Sequence, residues 1–184
     1  MIKKNIILIF FILLFFLVFI FPAYSAQDTV IQPVTYEVDR MFAITVSGNP
    51  STLNITSSST GGSEFLEAED SSTSVGYTTI LLEGETVNIT VKYSDNDTLP
   101  SGTVLKLTAG SCQGGYSGTP GTPAGQITLS SSPQVLISAI GTCVTGGQSS
   151  NGHILNYNFA INNVSQLIAG DSRTITVILT ITDI

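Results

Sequence analysis

The side chains that could do chemistry are two cysteines, one histidine and several carboxylates. Cys112 and Cys143 are each followed closely by a pair of glycines. In an exported protein such a pair normally forms a disulfide, and we expect one bond between them. The alternative is a catalytic or metal-binding thiol pair. That pair would need a nearby base or further ligands, and His153 is the only histidine of the chain.

The residue pattern does not support an enzyme. A Ser-His-Asp triad would have to use His153, which starts a strand pattern and has no recognisable nucleophile elbow near it. We expect His153 to lie at the solvent edge of a strand. Glu64, Glu67, Glu69 and Asp70 form the densest carboxylate cluster, but they lie in a Ser-rich stretch where acidic side chains are usually solvated. We therefore expect neither catalysis nor a cofactor.

Calcium is the inorganic ligand that the sequence fits best. Asp95 and Asp97 flank Asn96, and loops of this kind supply the oxygen ligands that calcium prefers. Asp and Asn also favour turns for purely structural reasons. Because no full ligand pattern is present, we predict no metal site and keep Asp95 and Asp97 as the calcium alternative.

The sequence allows two roles for sugars, as attached glycans or as bound ligands. Four Asn-x-Ser/Thr sequons permit N-glycosylation, at Asn54, Asn88, Asn96 and Asn163. Chance alone gives several sequons in a chain so rich in Ser and Thr. A glycan-binding module would need exposed aromatic rings. The chain has no Trp, and Tyr116 and Phe65 are the aromatic residues that fall in loop-like stretches.

Residues 1–26 have the pattern of a secretory signal peptide. Two lysines precede an unbroken apolar run over residues 6–21, and Pro22 and small residues follow it. We predict cleavage after Ser25 or Ala26, with an uncleaved membrane anchor as the alternative. The remaining residues, 27–184, are long enough for one domain with a substantial core.

Net charge excludes two classes of partner. The full chain carries a formal net charge of −7, and removal of the predicted leader leaves only Arg40, Lys92, Lys106 and Arg173 against thirteen acidic residues. Nucleic acids and anionic membranes bind basic patches, so we expect neither as a partner. No second apolar segment follows the leader. We expect a secreted protein in the extracellular space or at the cell surface, or in the periplasm if the source has an outer membrane.

Alternation of apolar and polar residues predicts an all-β fold. The clearest runs are residues 86–93, 153–161 and 173–182, each with one apolar face. Glu83 and Gly84 lie between two such runs and suggest a hairpin. Residues 56–74 are Ser-rich and predict a loop with one helical turn over residues 64–68. With eight to ten strands and no amphipathic helix, the chain fits an antiparallel β-sandwich of immunoglobulin-like or pilin-like type.

The first alternating stretch raises a question about assembly. Residues 34–46 predict one long strand, or two that are bent near Arg40. Residues 27–38 form an alternating stretch that Pro33 interrupts, and its candidate donor residues are Val30, Val34, Tyr36 and Val38. An exposed strand of this kind can be donated to the sheet of another molecule. The alternative is that it pairs within its own sandwich.

The end of the chain resembles a known group of proteins. The matching stretch reads Ala169-Gly170-Asp171-Ser172-Arg173-Thr174-Ile175-Thr176-Val177-Ile178-Leu179-Thr180-Ile181-Thr182. With the leader and the Thr-rich strands, it resembles secreted pilin-type proteins, especially the spore-coat-U-like and fimbrial-subunit families. It departs from them at Arg173 and in the placement of the cysteines. The resemblance implies a non-catalytic subunit that polymerises or coats a surface by inserting a terminal strand into a neighbour.

These observations predict a secreted structural or adhesive surface protein. We expect it to associate with itself or with other surface proteins. An extracellular glycan- or calcium-binding β-sandwich module is the alternative function.

Overall fold

The structure is a computed structural model that describes residues 29–57, 60–62, 64–146 and 151–183. The predicted signal peptide lies outside the described residues. The chain divides into two units, Met1–Glu37 and Val38–Ile184. Residues 29–37, the described part of the first unit, form no strand, whereas the second unit is built from strands.

The described residues form thirteen strands, one short 3-10 turn over Val164–Gln166 and no α-helix. The strands are β1 (Met41–Ser47), β2 (Thr56–Ser57), β3 (Phe65–Leu66), β4 (Ala68–Ile80), β5 (Val87–Tyr93), β6 (Thr103–Gln113), β7 (Ser117–Gly118), β8 (Thr122–Pro123), β9 (Ile127–Thr128), β10 (Gln134–Ile140), β11 (Cys143–Val144), β12 (Gly152–Ile161) and β13 (Val177–Asp183).

Nearly all of these strands belong to two antiparallel sheets. In the large sheet, β1 lies along one edge of β4, while β11 and β12 follow one another along the other edge. Next come β7, which pairs with β11, and β6, which pairs with β12 and then with β9. The small sheet has the order β13-β5-β10-β8. The strands β2 and β3 form a separate pair.

The two sheets share one hydrophobic core, as a β-sandwich requires. The large sheet contributes buried side chains such as Val75, Leu107 and Leu155, and the small sheet contributes Ile89 and Ile137. Each of these five side chains is fully buried. The predicted all-β fold with antiparallel sheets is therefore confirmed, and the packing is consistent with a sandwich.

The last two strands follow the predicted alternation. On β13 the side chains of Val177, Leu179 and Ile181 pack against the core, while Thr180 and Thr182 are exposed. The sequence left open whether β12 and β13 pair with each other or lie in different sheets. They lie in different sheets, β12 in the large one and β13 in the small one.

Two local predictions are wrong. No strand covers residues 34–40, because β1 begins only at Met41. Glu83 and Gly84 do form a turn, closed by a hydrogen bond from Glu85 N to Leu82 O, but it connects β4 of the large sheet to β5 of the small sheet. The turn is therefore a crossover between sheets and not a hairpin.

The last part of the predicted loop, residues 68–74, is a strand, and residues 64–68 form no helical turn. β4 begins at Ala68 and includes Thr73 and Ser74, which are 2% and 1% exposed. Strand β12 pairs with β4 along this part, and β1 joins on the opposite edge from Ser74 onward. Backbone pairing stabilises a strand whatever side chains it carries, so a Ser- and Thr-rich sequence does not exclude one.

Candidate assembly surface

The core-facing side of β1 is incompletely covered. Directly paired residues of antiparallel strands lie on the same face of the sheet. Phe42, Ile44 and Val46 pair with residues of β4 that are 0–3% exposed, namely Thr79, Tyr77 and Val75. The three β1 side chains therefore face the core side, yet they remain 40%, 36% and 47% exposed. Apolar side chains that face a core normally lose most of their exposed surface.

The neighbouring edge of the small sheet has the same property to a lesser degree. Leu179 and Ile181 of β13 pair with Val91 and Ile89, which are buried in the core. Leu179 and Ile181 themselves are only partly buried. Within the described residues, β1 pairs only with β4, and β13 pairs only with β5. We call the core-facing sides of these two edge strands, with Phe42, Ile44, Val46, Val177, Leu179 and Ile181, the open side.

The side chain of Arg40 bridges the two edge strands at one end of the open side. The guanidinium of Arg40 donates hydrogen bonds of 2.8 and 3.3 Å to the carboxylate of Asp183 and lies 3.3 Å from that of Glu85. It also stacks over the ring of Phe42, at 4.9 Å from the ring centroid. Arg40 occupies the same alternating phase as Phe42 and Ile44. An arginine in this phase therefore marks the point where the core-facing side of β1 ends.

Residues 30–38 keep the alternation without forming a strand. The side chains of Val30, Val34, Tyr36 and Val38 are 88%, 76%, 88% and 72% exposed. Val34, Tyr36 and Val38 occupy every second position, Gln32 interrupts the series before Val30, and Ile31 in the opposite phase is also 86% exposed. Isolated apolar side chains on a protein surface need no explanation, but so many in one short segment do. Val30, Val34, Tyr36 and Val38 are the four positions that the sequence predicts as a donor strand.

The predicted disulfide between Cys112 and Cys143 is wrong, because both thiols are free. Cys112 pairs with His153 and His153 with Val75, whereas Cys143 pairs with Thr79. Four residues of β4 separate these two levels, which corresponds to about 13 Å along a strand. A disulfide joins Cα atoms that are about 4.4–6.8 Å apart. Burial raises the pKa of both thiols, which disfavours a reactive thiolate.

His153 is fully buried, contrary to the predicted position at a solvent edge. Strand β6 continues past Gly110 to Gln113 and covers the start of β12. The Nδ1 atom of His153 lies 2.8 Å from the Gly110 carbonyl, and its Nε2 atom lies 2.8 Å from the Tyr77 hydroxyl, whose oxygen is also close to the Pro120 carbonyl. Burial lowers the pKa of His153 and favours the neutral ring. These contacts join strands of the large sheet to a loop, so the ring has a structural role.

Both carboxylates of the calcium alternative, Asp95 and Asp97, already accept hydrogen bonds from other residues of the chain. Asp95 accepts hydrogen bonds of 3.0 and 3.1 Å from Lys92, and Asp97 accepts one of 2.6 Å from the Thr176 backbone. The second contact ties the loop after β5 to the segment that leads into β13. Among the described residues no three His, Cys, Asp or Glu side chains are grouped to hold a metal ion.

Carboxylates of the acidic cluster also accept hydrogen bonds from neighbouring parts of the chain. Asp70 accepts hydrogen bonds of 2.6–3.1 Å from the hydroxyls and backbone amides of Ser51 and Ser72. These bonds hold the pKa of Asp70 well below its usual value. The carboxylates of Glu67 and Glu69 accept from the side-chain amide of Asn158. The contacts hold the start of β4 in place.

The four sequons differ in how accessible they are. The side chains of Asn54 and Asn96 are exposed. Asn88 accepts a hydrogen bond of 3.1 Å from the backbone of Ala139, and Asn163 accepts from Ser165 at the start of the 3-10 turn. Both contacts use the side-chain carbonyl oxygen, whereas a glycan is attached to the amide nitrogen. Asn163 is exposed as well and Asn88 is half-buried, so Asn88 is the least accessible of the four sequons.

The open side is the feature that the sequence reasoning missed. The signal was present, since residues 34–46 alternate in one phase for longer than a mean strand of roughly five or six residues. Nothing in the pattern alone distinguishes one long strand from an edge strand that is preceded by an unpaired segment.

No protein-family profile matches this chain, and neither a curated protein nor a solved structure is significantly similar to it. In the described part of the chain, no helix has the length and apolar character of a membrane span.

Proposed function

We propose that this chain is a secreted, non-catalytic structural or adhesive surface protein with an immunoglobulin-like or pilin-like sandwich, whose copies assemble by β-strand addition. The single observation that carries the proposal is the set of four exposed apolar side chains in residues 30–38, which form no strand. These residues have the properties of a donor strand. Burying each such side chain contributes roughly 1.5–3 kcal/mol, which opposes the cost of association.

The proposal also accounts for the chemistry of the described residues. The buried His153 and Cys143 are engaged in packing, and the carboxylate of Asp70 is held by serines. A negatively charged, Thr-rich exterior suits a protein that is exported and remains soluble until it assembles. Other surface proteins could receive the donor strand in place of a second copy.

A glycan- or calcium-binding module is less well supported. Asp95 and Asp97 already serve as acceptors for Lys92 and Thr176. Tyr116 and Phe65 are about half exposed, at 48% and 43%, but they belong to different segments of the chain. Sugar recognition normally uses aromatic rings together with convergent polar groups.

A charge in the donor segment tests the proposal. The mature wild-type protein should form filaments or other polymers, visible by negative-stain microscopy and by size-exclusion chromatography. The Val34→Asp variant should stay monomeric with an unchanged melting temperature, because a buried carboxylate without a partner opposes strand addition. Thr35→Asp, which adds the same charge at the neighbouring position, should still assemble. A wild-type protein that remains monomeric at high concentration would refute the proposal.

A further inference from the structure

We propose that the open side is the acceptor for residues 30–38 of a second copy of this chain, and that the chain cannot fill its own open side. This inference rests on the proposed function and identifies its partner. Nine extended residues span about 30 Å, and the seven residues of β1 span about 23 Å. The donor segment is therefore long enough to pair along the whole of β1.

The open side matches the donor segment in chemistry. A strand that is added to the outer edge of β1 would place every second side chain on the core-facing side. There it would meet Phe42, Ile44 and Val46 from one sheet and Leu179 and Ile181 from the other. All of these are apolar, as are Val34, Tyr36 and Val38 of the donor segment. The backbone groups along the free edge of β1 would gain ladder hydrogen bonds at the same time.

The connection between the donor segment and β1 is too short for most ways of folding back. Only Asp39 and Arg40 separate Val38 from Met41. A parallel arrangement needs a crossover of a dozen or more residues, so the segment could return to its own β1 only as an antiparallel hairpin. Two-residue hairpin loops favour Asn-Gly or Asp-Gly, because the turn requires residues with positive φ. Neither Asp39 nor Arg40 has a positive φ.

A hairpin with a two-residue loop would also place the polar face of the donor segment on the core-facing side. A two-residue loop at Asp39 and Arg40 pairs Val38 with Met41. The residues opposite Phe42, Ile44 and Val46 would then be Glu37, Thr35 and Pro33. A carboxylate would enter the core, and a proline would occupy a ladder position in which it cannot donate. The four apolar side chains would point to solvent.

A three-residue loop would correct the phase but has its own obstacle. It would consist of Asp39, Arg40 and Met41, and such loops place one residue in the left-handed region, usually glycine. Met41 is already paired with Ile80 in β1. Arg40 is held by Asp183 and Glu85. Pairing with a second copy avoids every one of these constraints.

Two variants that differ by one residue test the inference. In the in-phase variant, Arg40→Gly is combined with an asparagine inserted after Asp39. The resulting Asn-Gly loop pairs Val38 with Phe42, Tyr36 with Ile44 and Val34 with Val46. In the out-of-phase variant, Asp39→Asn and Arg40→Gly are combined without an insertion. It has the same loop residues and also lacks Arg40, but it pairs Glu37 with Phe42.

We expect the in-phase variant to be a monomer with a melting temperature several degrees above that of the monomeric Val34→Asp protein. The out-of-phase variant should polymerise like the wild-type protein. If both variants polymerise to the same extent, the open side is not the acceptor, although assembly itself stands. If both are monomeric, the phase argument is wrong. If the wild-type protein forms no polymer under any condition, the proposed function fails first.

Discussion

The two ends of the sandwich are closed in different ways. At the end formed by β8 and β9, the chain itself crosses from the small sheet to the large sheet within residues 122–128, and Leu129 beyond it is 3% exposed. At the end formed by β1 and β13, the ion pair of Arg40 with Asp183 joins the two sheets. There Ile44 and Val46 face the core side and stay a third to a half exposed. One end is thus covered by the chain itself, and the other is the end that the proposed assembly would cover with a second copy.

Removing a core side chain at the closed end should have the largest effect on stability. Leu129→Ala should lower the free energy of unfolding by about 2–5 kcal/mol, because it deletes a buried side chain and leaves a cavity. Denaturant unfolding followed by circular dichroism measures the change. Leu129→Met is the volume-matched control and should cost less than about 1.5 kcal/mol. Equal losses in both variants would show that the closed end is not tightly packed.

The same kind of truncation at the open side should cost the subunit much less. Ile44→Ala in the monomeric Val34→Asp background should lower the free energy of unfolding by about 1 kcal/mol, since the side chain is 36% exposed before the change. In the otherwise wild-type chain, Ile44→Ala should weaken assembly strongly. A loss in the monomer as large as that of Leu129→Ala would mean that the open side is already packed without a partner.

The ion pair across the open side should contribute little. Asp183→Asn removes the strongest acceptor of Arg40, yet the side chains are 37% and 60% exposed. Exposed pairs contribute about 0–1 kcal/mol, and salt screens them. We expect a loss of roughly 0.5 kcal/mol in low salt that disappears near 1 M salt. A larger, salt-independent loss would show that this contact closes the end as firmly as the chain crossing closes the other.

A reducing agent should leave the stability of the protein unchanged. Because Cys112 and Cys143 are free, the melting temperature should be the same with and without a reducing agent. Thiol titration of the denatured, non-reduced protein should find both cysteines free. A fall in melting temperature on reduction would show that a bridge restrains the fold.

Alternation predicted the strands that have one buried face. β5 was placed to within one residue because apolar and polar side chains alternate strictly along it. β13 was found by the same pattern, but it begins at Val177 and not at Arg173. The first half of β4 was missed because it is rich in Ser and Thr, and neighbouring strands, not apolar side chains, hold it in the sheet. Alternation reports which face is buried and is silent on backbone pairing.

The candidate site was only half predictable for a related reason. The donor residues Val34, Tyr36 and Val38 could be named from their alternation. The acceptor could not, because the sequence does not show that β1 and β13 are both edge strands at the same end of the sandwich. The cysteine prediction failed on the same ground. The spacing of Cys112 and Cys143 says nothing about the strand register that keeps them apart.

Amide hydrogen exchange tests the central claim most directly, because it reports the two ends in one experiment. Exchange is compared between the assembled wild-type protein and the monomeric Val34→Asp variant, and the amides of β1 and β9 are followed. We predict that assembly slows exchange in Met41–Ser47 and in residues 30–38, while Ile127–Thr128 at the closed end is unchanged. Assembled protein in which β1 exchanges as fast as in the monomer would contradict the account.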